Sequence, residues 1–411
     1  MTYTNETIPD NSVSTVFEKL LAPLDEFVRK QDAELPRHHN QKFGYYSFFR
    51  LLMYFFASGR ESFKLFITAE LNKGLLPAAL NLQPVPYSTA NEAFERFSVN
   101  LFRDVFQHLL QTVPFRYIPE LAALGTLCCI DGSLFPVINS MLWAEYTSKH
   151  QSLKLHLCFE LNRMIVTEFL VTAANYSERQ ALAKMLKAGI TYIADRGYMS
   201  FDICHKIQEA EAHFIFRVKA NLLYSVTKTL SPELPEKVHS LFANVSDELI
   251  RYTNDEFKHI YRLIHFSLGS ETFYILTDRC DLTTYQVIML YAYRWQIELL
   301  FRFLKRTMNG IHLIKQDQRG VTIQFYAMLI VALLQLRLKQ VTTDLSHDVD
   351  NSDPAKNKDA EKPALSKQDF FETIGKNLCK YWKIGIHWLT AFRSLLAEHF
   401  DKRAVEILNS T

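Results

Sequence analysis

The sequence predicts an α/β protein: a mixed-sheet core over residues 123–342, interrupted by a β-rich insertion and flanked by helical N- and C-terminal regions. Three observations carry that reading. From residue 124 onward, short apolar runs of strand length alternate with amphipathic stretches of helical period. The first ~120 residues carry helical periodicity alone. Glycine is scarce, 12 of 411 residues, where ~7% is usual, and this argues against a turn-dense all-β chain.

Residues 1–122 are expected to form a helical domain. Val16, Phe17, Leu20, Leu21, Leu24, Phe27 and Val28 recur at helical spacing, and residues 48–56 read as a dense aromatic helix core. Residues 71–86, with three prolines, read as a connection. Ser88-Thr89-Ala90-Asn91 offers N-caps before a single amphipathic helix over 92–110. The first part of the core, 123–218, has a short run at 126–130 ending in Asp131, then strands at 153–161 and 164–172. A helix at 177–188, a run at 190–194 ending in Asp195, a helix at 200–212 and a strand at 213–218 follow. Residues 219–271 are polar with weak alternation, a small β insertion. Residues 272–342 form the second part of the core, with a strand at 272–277 and a long helix over 282–307. Residues 343–368 read as a flexible polar segment and 369–411 as C-terminal helices.

Composition narrows the class. Lys+Arg number 46 and Asp+Glu 44, so a globally basic nucleic-acid binder is not visible at this level. None of the six cysteines stands in a Cys-x-x-Cys pair, and they read as buried free thiols in a reducing compartment. The first residues are polar and suggest no secretory signal. The most apolar stretch, 325–334, falls short of the ~20 residues that span a bilayer and reads as a core helix.

Three carboxylates stand out. Asp131 and Asp195 each follow an apolar strand run directly, where ligands and metals collect in sheets with buried faces. The third is Glu298. On a helical wheel Tyr291, Arg294, Glu298 and Lys305 share an arc of roughly 60°, while apolar residues cover most of the remaining circumference. A carboxylate on so apolar a helix is paired, metal-bound or in a cleft. Plainer readings stand beside these: an aspartate at a strand end caps a turn, and Glu298 pairs with Arg294 or Arg302 at helical spacing.

Tyr291-x2-Arg294-x3-Glu298-x6-Lys305 resembles the YREK signature of bacterial DDE transposases of insertion-sequence family four, the group related to the Tn-five transposase. Ile130-Asp131-Gly132-Ser133 and Ala194-Asp195-Arg196-Gly197-Tyr198 resemble that family's two aspartate motifs, in the same order. The resemblance implies a ribonuclease H-like catalytic core. It implies that Asp131, Asp195 and Glu298 are catalytic and hold two divalent metal ions, Mg²⁺ with Mn²⁺ as substitute. Hard oxygen ligands suit such ions. It implies cut-and-paste DNA transposition: cleavage at transposon ends, then attack of the freed 3′-hydroxyl on target DNA.

The same resemblance makes Tyr291, Arg294 and Lys305 contacts to DNA phosphates, with Arg302 and Arg306 beside them. The partners implied are double-stranded DNA, as inverted-repeat ends and target, and a second copy of the chain. The place implied is the bacterial cytoplasm, at the nucleoid. The N-terminal helices are expected to recognise DNA ends, without a helix-turn-helix signature. Lys149, His150, Lys154, His156, Arg196, Arg37, His38 and His39 are weaker candidates for DNA or the metal site, and Trp295 is expected to pack. No Trp occurs in 219–270, unlike relatives that stack a flipped base there; Tyr224, Tyr252, Phe257, Tyr261 and Phe266 are the alternatives. Two other classes remain: a ribonuclease H-like nuclease without strand transfer, and a catalytically silent DNA-binding derivative. Between Tyr291 and Lys339 eight basic residues face two acidic ones, a local basic strip inside a nearly neutral chain.

Overall fold

The computed structural model describes residues 13–37, 41–60, 62–73, 82–138, 140–147, 150–221, 223–236, 242–268, 271–298, 300–301 and 313–350. In chain order the helices are α1 (Val13–Glu34), α2 (Tyr45–Ala57), α3 (Tyr87–Arg96), α4 (Val99–Thr112), α5 (Glu178–Met185), α6 (Phe201–Glu209), α7 (Thr284–Tyr293) and α8 (Gln318–Asp350). The strands are β1 (Thr126–Pro136), β2 (Glu145–Thr147), β3 (His150–Glu160), β4 (Ile165–Ala173), β5 (Ile190–Ala194), β6 (His213–Arg217), β7 (Tyr224–Leu230), β8 (Ala243–Tyr252), β9 (Tyr261–Leu268) and β10 (Glu271–Thr277). They fall into two compact units: one runs up to Arg116 and resumes at 313–350, the other runs from Tyr117 to Phe301.

The first unit is helical. α1, α2, α4 and α8 pack around an aromatic core in which Tyr45, Phe48, Phe49, Phe94, Phe97 and Phe102 meet at ring-centroid separations of 5.0–6.2 Å. Arg50, 1% exposed, reaches out of this core to Glu18 and Asp25. The single helix expected over 92–110 is two helices. Ser98 breaks it by accepting a hydrogen bond from Asn100 N and capping α4. The apolar stretch at 325–334 lies in α8. Its segment Gln318–Leu338 is long and apolar enough to cross a membrane, but 67% of the apolar window is buried among these helices, as a core helix would be. α8 stays helical to Asp350, so the first residues of the polar segment expected at 343–368 continue it. Its remainder and the expected C-terminal helices lie outside the described residues.

The second unit is built on a ten-stranded sheet of order β2-β3-β1-β5-β6-β10-β9-β8-β7, with β4 on β3. β1, β3 and β4 are antiparallel, and β5 and β6 run parallel to β1. That is the ribonuclease H-like arrangement, with α5 and α6 covering the face that carries Cys128, Ile130, Tyr192, Ala194, Phe214 and Phe216. In the β-rich segment expected at 219–271, β7, β8 and β9 continue the same sheet through β10.

Two buried polar side chains fix where the site-bearing elements begin. Asn162, in the β3–β4 turn, accepts from Leu127 N at 2.8 Å and donates to Gly125 O at 2.9 Å and to Leu121 O at 3.3 Å. Arg279 donates to Leu124 O at 3.2 Å, to Thr191 Oγ1 at 2.6 Å and to Asp281 at 2.7–2.8 Å. One guanidinium thus ties the starts of β1 and β5 to the turn that leads into α7. Buried donors this fully matched are costly to lose. The described cysteines are free thiols, four buried as expected; Cys280 is exposed because it sits in the turn after β10.

Candidate active site

The β1 run does not stop at Asp131 as the sequence suggests. It continues to Pro136 because β3 offers antiparallel partners as far as Pro136↔Ser152. What ends near Asp131 is the parallel neighbour. β5 pairs with β1 up to Cys129↔Ile193 and then terminates, so the same register carried two residues on places Asp131 opposite Asp195. Adjacent strands lie about 4.8 Å apart. Both aspartates share the side-chain parity of Cys129 and Ile193, which points them away from the α5/α6 face. Each carboxylate accepts the backbone N–H of the following residue at 2.8 Å, Gly132 for Asp131 and Arg196 for Asp195.

Glu298 arrives on the helical chain of α7. Thr283 and Gln286 form a reciprocal capping box at its start. The expected continuous helix over 282–307 is interrupted at Arg294. There the bonds tighten to three-residue spacing, Arg294 N to Tyr291 O at 3.0 Å and Ile297 N to Arg294 O at 3.2 Å, before helix resumes over 295–298. Tyr293 O accepts from the Cys129 thiol at 3.8 Å, which seats this turn on β1 two residues before Asp131. Ile297 is fully buried and anchors the far side of the turn, while Glu298 stays partly accessible.

Four predicted residues are brought into direct contact in two pairs. The Tyr291 hydroxyl lies 3.3 Å from Asp195 Oδ1, and Arg294 donates to Glu298 Oε1 at 2.9 Å. The Arg294 guanidinium also stands 5.7 Å from the Tyr291 ring centroid. Burial pushes the Asp131 carboxyl up to about 6, and the charges of Glu178 and Glu298 push the same way; the Gly132 N–H and Arg294 pull it down. Arg294 is held charged by Tyr291, Glu298 and Asp195 against the cost of its burial.

Among the described residues no three His, Cys, Asp or Glu side chains converge closely enough to hold an ion. At this site Glu298 pairs with Arg294. The donor chemistry nevertheless fits hard divalent ions. The strand register sets Asp131 beside Asp195 as oxygen donors, and the acidic surroundings already hold one buried cation, Arg294. Tyr291 is buried, and Arg294 pairs with Glu298. Lys305, Arg302 and Arg306 lie outside the described residues, as do Lys149, His38 and His39. Of the basic strip, Arg294 belongs to the sheet unit and Lys315, Arg319 and Arg337 to the helical one. There Lys315 pairs with Glu95 at 2.8 Å, and Arg319 donates to Phe97 O at 2.9 Å. Trp295, expected to pack, is 46% exposed.

Of two supports of the site, Glu178 escapes a sequence reading and His156 figures there only as a weaker candidate for DNA or the metal site. Glu178, on α5, comes so close to Gly197 that a Cβ there would lie 2.8 Å from its Oε2. It also lies 3.4 Å from Lys154 Nζ. His156, fully buried, backs Gly132 in the same way, its Nδ1 3.0 Å from where a Cβ would stand. The glycines one and two residues after Asp131 and Asp195 therefore mark close approach of a neighbouring side chain. The motifs contained the glycines, but nothing local named Glu178 or His156 as what they make room for.

A mixed sheet of this order, with an aspartate within β1, another just after β5, and a carboxylate on the helical chain of α7, defines a ribonuclease H-like protein with an acidic site. The family described as the transposase DDE domain matches residues 123–334, just over half of the chain. The chain belongs to that family. A transposase of Sinorhizobium fredii is 26% identical over 272 residues, covering 63% of this chain and 75% of its own. A transposase of a Synechocystis insertion sequence is 21% identical over 62% of this chain and 73% of its own. One of a Geobacillus stearothermophilus insertion sequence is 20% identical over 48% and 52%. A Bacillus subtilis endonuclease V structure aligns over 62% of this chain and 96% of that one, at 12% identity and a TM-score of 0.21, too low to carry an argument.

Proposed function

We propose that this protein is a cut-and-paste DNA transposase that cleaves DNA at element ends and joins the freed 3′-hydroxyl to target DNA. The observation that carries the reading is the placement of Asp131 beside Asp195, at the point where β5 ends and β1 runs on, with Glu298 on the helix above. Membership of the DDE transposase family and the names of the relatives support it. Asp131, Asp195 and Glu298 would hold two divalent ions, Mg²⁺ being the fitting choice for oxygen ligands. When bound, such ions activate an attacking oxygen and stabilise the leaving 3′-oxygen of an in-line displacement.

The chain's own residues orient and balance charge. The Gly132 and Arg196 N–H groups fix the rotation of the two aspartates. Tyr291 supplies a hydroxyl at Asp195 and Arg294 a guanidinium at Glu298, both groups suited to a phosphodiester oxygen. Lys305, Arg302 and Arg306 contact further DNA phosphates, the N-terminal helices recognise element ends, and two copies act together on paired ends.

The deciding experiment is a strand-transfer assay with inverted-repeat DNA from the flanks of the gene. Joined product is expected, and Asp195→Asn should lower cleavage by ~1,000-fold or more while DNA binding persists. Cleavage without joined product would leave a nuclease; unchanged cleavage in Asp195→Asn would remove the site assignment.

A further inference from the structure

The two signature side chains expected to touch DNA each hold a carboxylate of the site. Arg294 donates to Glu298 Oε1 at 2.9 Å, and the Tyr291 hydroxyl lies 3.3 Å from Asp195 Oδ1. The Arg294 pair is incomplete. One of its nitrogens binds Glu298, while its Nε–H is buried with no acceptor. Glu298 keeps 29% of its side chain exposed where Arg294 keeps 12%, so the carboxylate has room to turn. The turn beneath them is a tightened, three-residue-spaced break rather than continuous α-helix, the kind of segment that admits two arrangements. A guanidinium donates to a carboxylate or a phosphate with the same N–H groups, so a phosphate that takes the Arg294 edge facing Glu298 competes with that carboxylate.

Building on the transposase reading, we propose that Arg294 is an exchangeable counter-ion: a phosphodiester that takes its guanidinium releases Glu298 to complete the metal site. DNA and metal binding are then positively coupled through one side chain. Until the phosphate arrives, Arg294 fills with its own positive charge the place of an ion among the acids. Cleavage competence is thereby withheld from a protein not engaged on DNA. The coupling is reciprocal, as linkage requires: metal must tighten DNA by the factor by which DNA tightens metal.

The test uses the full chain with Mn²⁺ as probe, titrated calorimetrically and by the paramagnetic signal of the free ion. Arg294→Ala should bind Mn²⁺ about tenfold more tightly than the wild type, the worth of one charge-assisted hydrogen bond. Arg294→Gln, which keeps a donor and the helix, should move in the same direction. Arg196→Ala removes a neighbouring positive charge without a contact to Glu298 and should gain less than about twofold. A short duplex of mixed sequence at low salt should tighten Mn²⁺ on the wild type and leave Arg294→Ala unchanged. Equal gains from Arg196→Ala and Arg294→Ala, or a wild type indifferent to the duplex, would overturn the exchange. Asp131→Asn separates the two readings. If it abolishes Mn²⁺ binding while Arg294→Ala changes nothing, the exchange alone fails. If Asp131→Asn binds Mn²⁺ as the wild type does, the metal site and the transposase reading fail together.

Discussion

Two of the sheet unit's arginine–carboxylate pairs show opposite degrees of completion. Arg262 on β9 grips Asp247 on β8 with Nε at 2.9 Å and a terminal nitrogen at 2.6 Å, and both side chains are at most 5% exposed. Its remaining nitrogen donates to Arg279 O and Leu282 O, while Asp247 also accepts from the Thr284 hydroxyl at 2.7 Å. The pair therefore clamps the β-rich extension to the first residues of α7. Arg294 and Glu298, about ten residues further along that helical chain, share a single 2.9 Å contact with an orphaned Nε–H and a partly exposed carboxylate. The same two functional groups make a fixed joint when every donor is matched, and an exchangeable contact when one is left over.

The largest effect should come from breaking the saturated pair. Asp247→Ala leaves a buried guanidinium uncompensated and should cost about 3–5 kcal/mol of stability, read as a drop in chemical-denaturation midpoint. A loss below 1 kcal/mol would mean that the pair is not the joint described here.

A second probe uses pH. Burial, with Lys154 nearby, depresses His156 to about 3 from an ordinary value near 6.5. A group depressed by folding contributes stability that is present above ~6.5 and is lost as pH falls towards ~3, because the unfolded chain takes up the proton first. The loss is on the order of 4 kcal/mol across that window. His156→Gln should flatten the slope of stability against pH between 4 and 6.5.

The two motif glycines sharpen the contrast between rigid and yielding neighbours. Gly132→Ala would press on the fully buried His156 ring and on the Lys154 stem, costing about 1–3 kcal/mol. Gly197→Ala meets only the end of the partly exposed Glu178 carboxylate, which can swing away, so less than about 1 kcal/mol is expected. Equal costs from thermal melts of both variants would contradict that distinction.

The smallest stability effect belongs to the incomplete pair. Glu298→Gln should shift unfolding by no more than about 1 kcal/mol, since the lost contact is partly solvated. A shift as large as that of Asp247→Ala would make Glu298 a structural residue.

Much of the site was legible because its signals are local. Asp131 and Asp195 close apolar runs, and the Tyr291, Arg294, Glu298 spacing puts three polar residues on an otherwise apolar helix. Periodicity reports which face of an element is buried, and that is a property of neighbours in sequence. It could not report that β1 outruns β5, because strand length is set by the partner and β3 extends it. Nor could it place β7 to β9: their weak alternation suggested an insertion, while β10 joins them to the central sheet by pairing with β6.

By itself the sequence determined the class of the protein, the order of its core elements and the identity of its three candidate carboxylates. Those rest on hydrophobic period and on residue types at fixed local spacing. The tertiary structure decided which groups those carboxylates meet. Arg279 gathers the starts of three elements far apart in sequence, Glu178 and His156 fill the space left by two glycines, and Arg294 holds Glu298. Contacts of that kind depend on how chain segments pack across long sequence separations, and a local pattern carries no term for that distance.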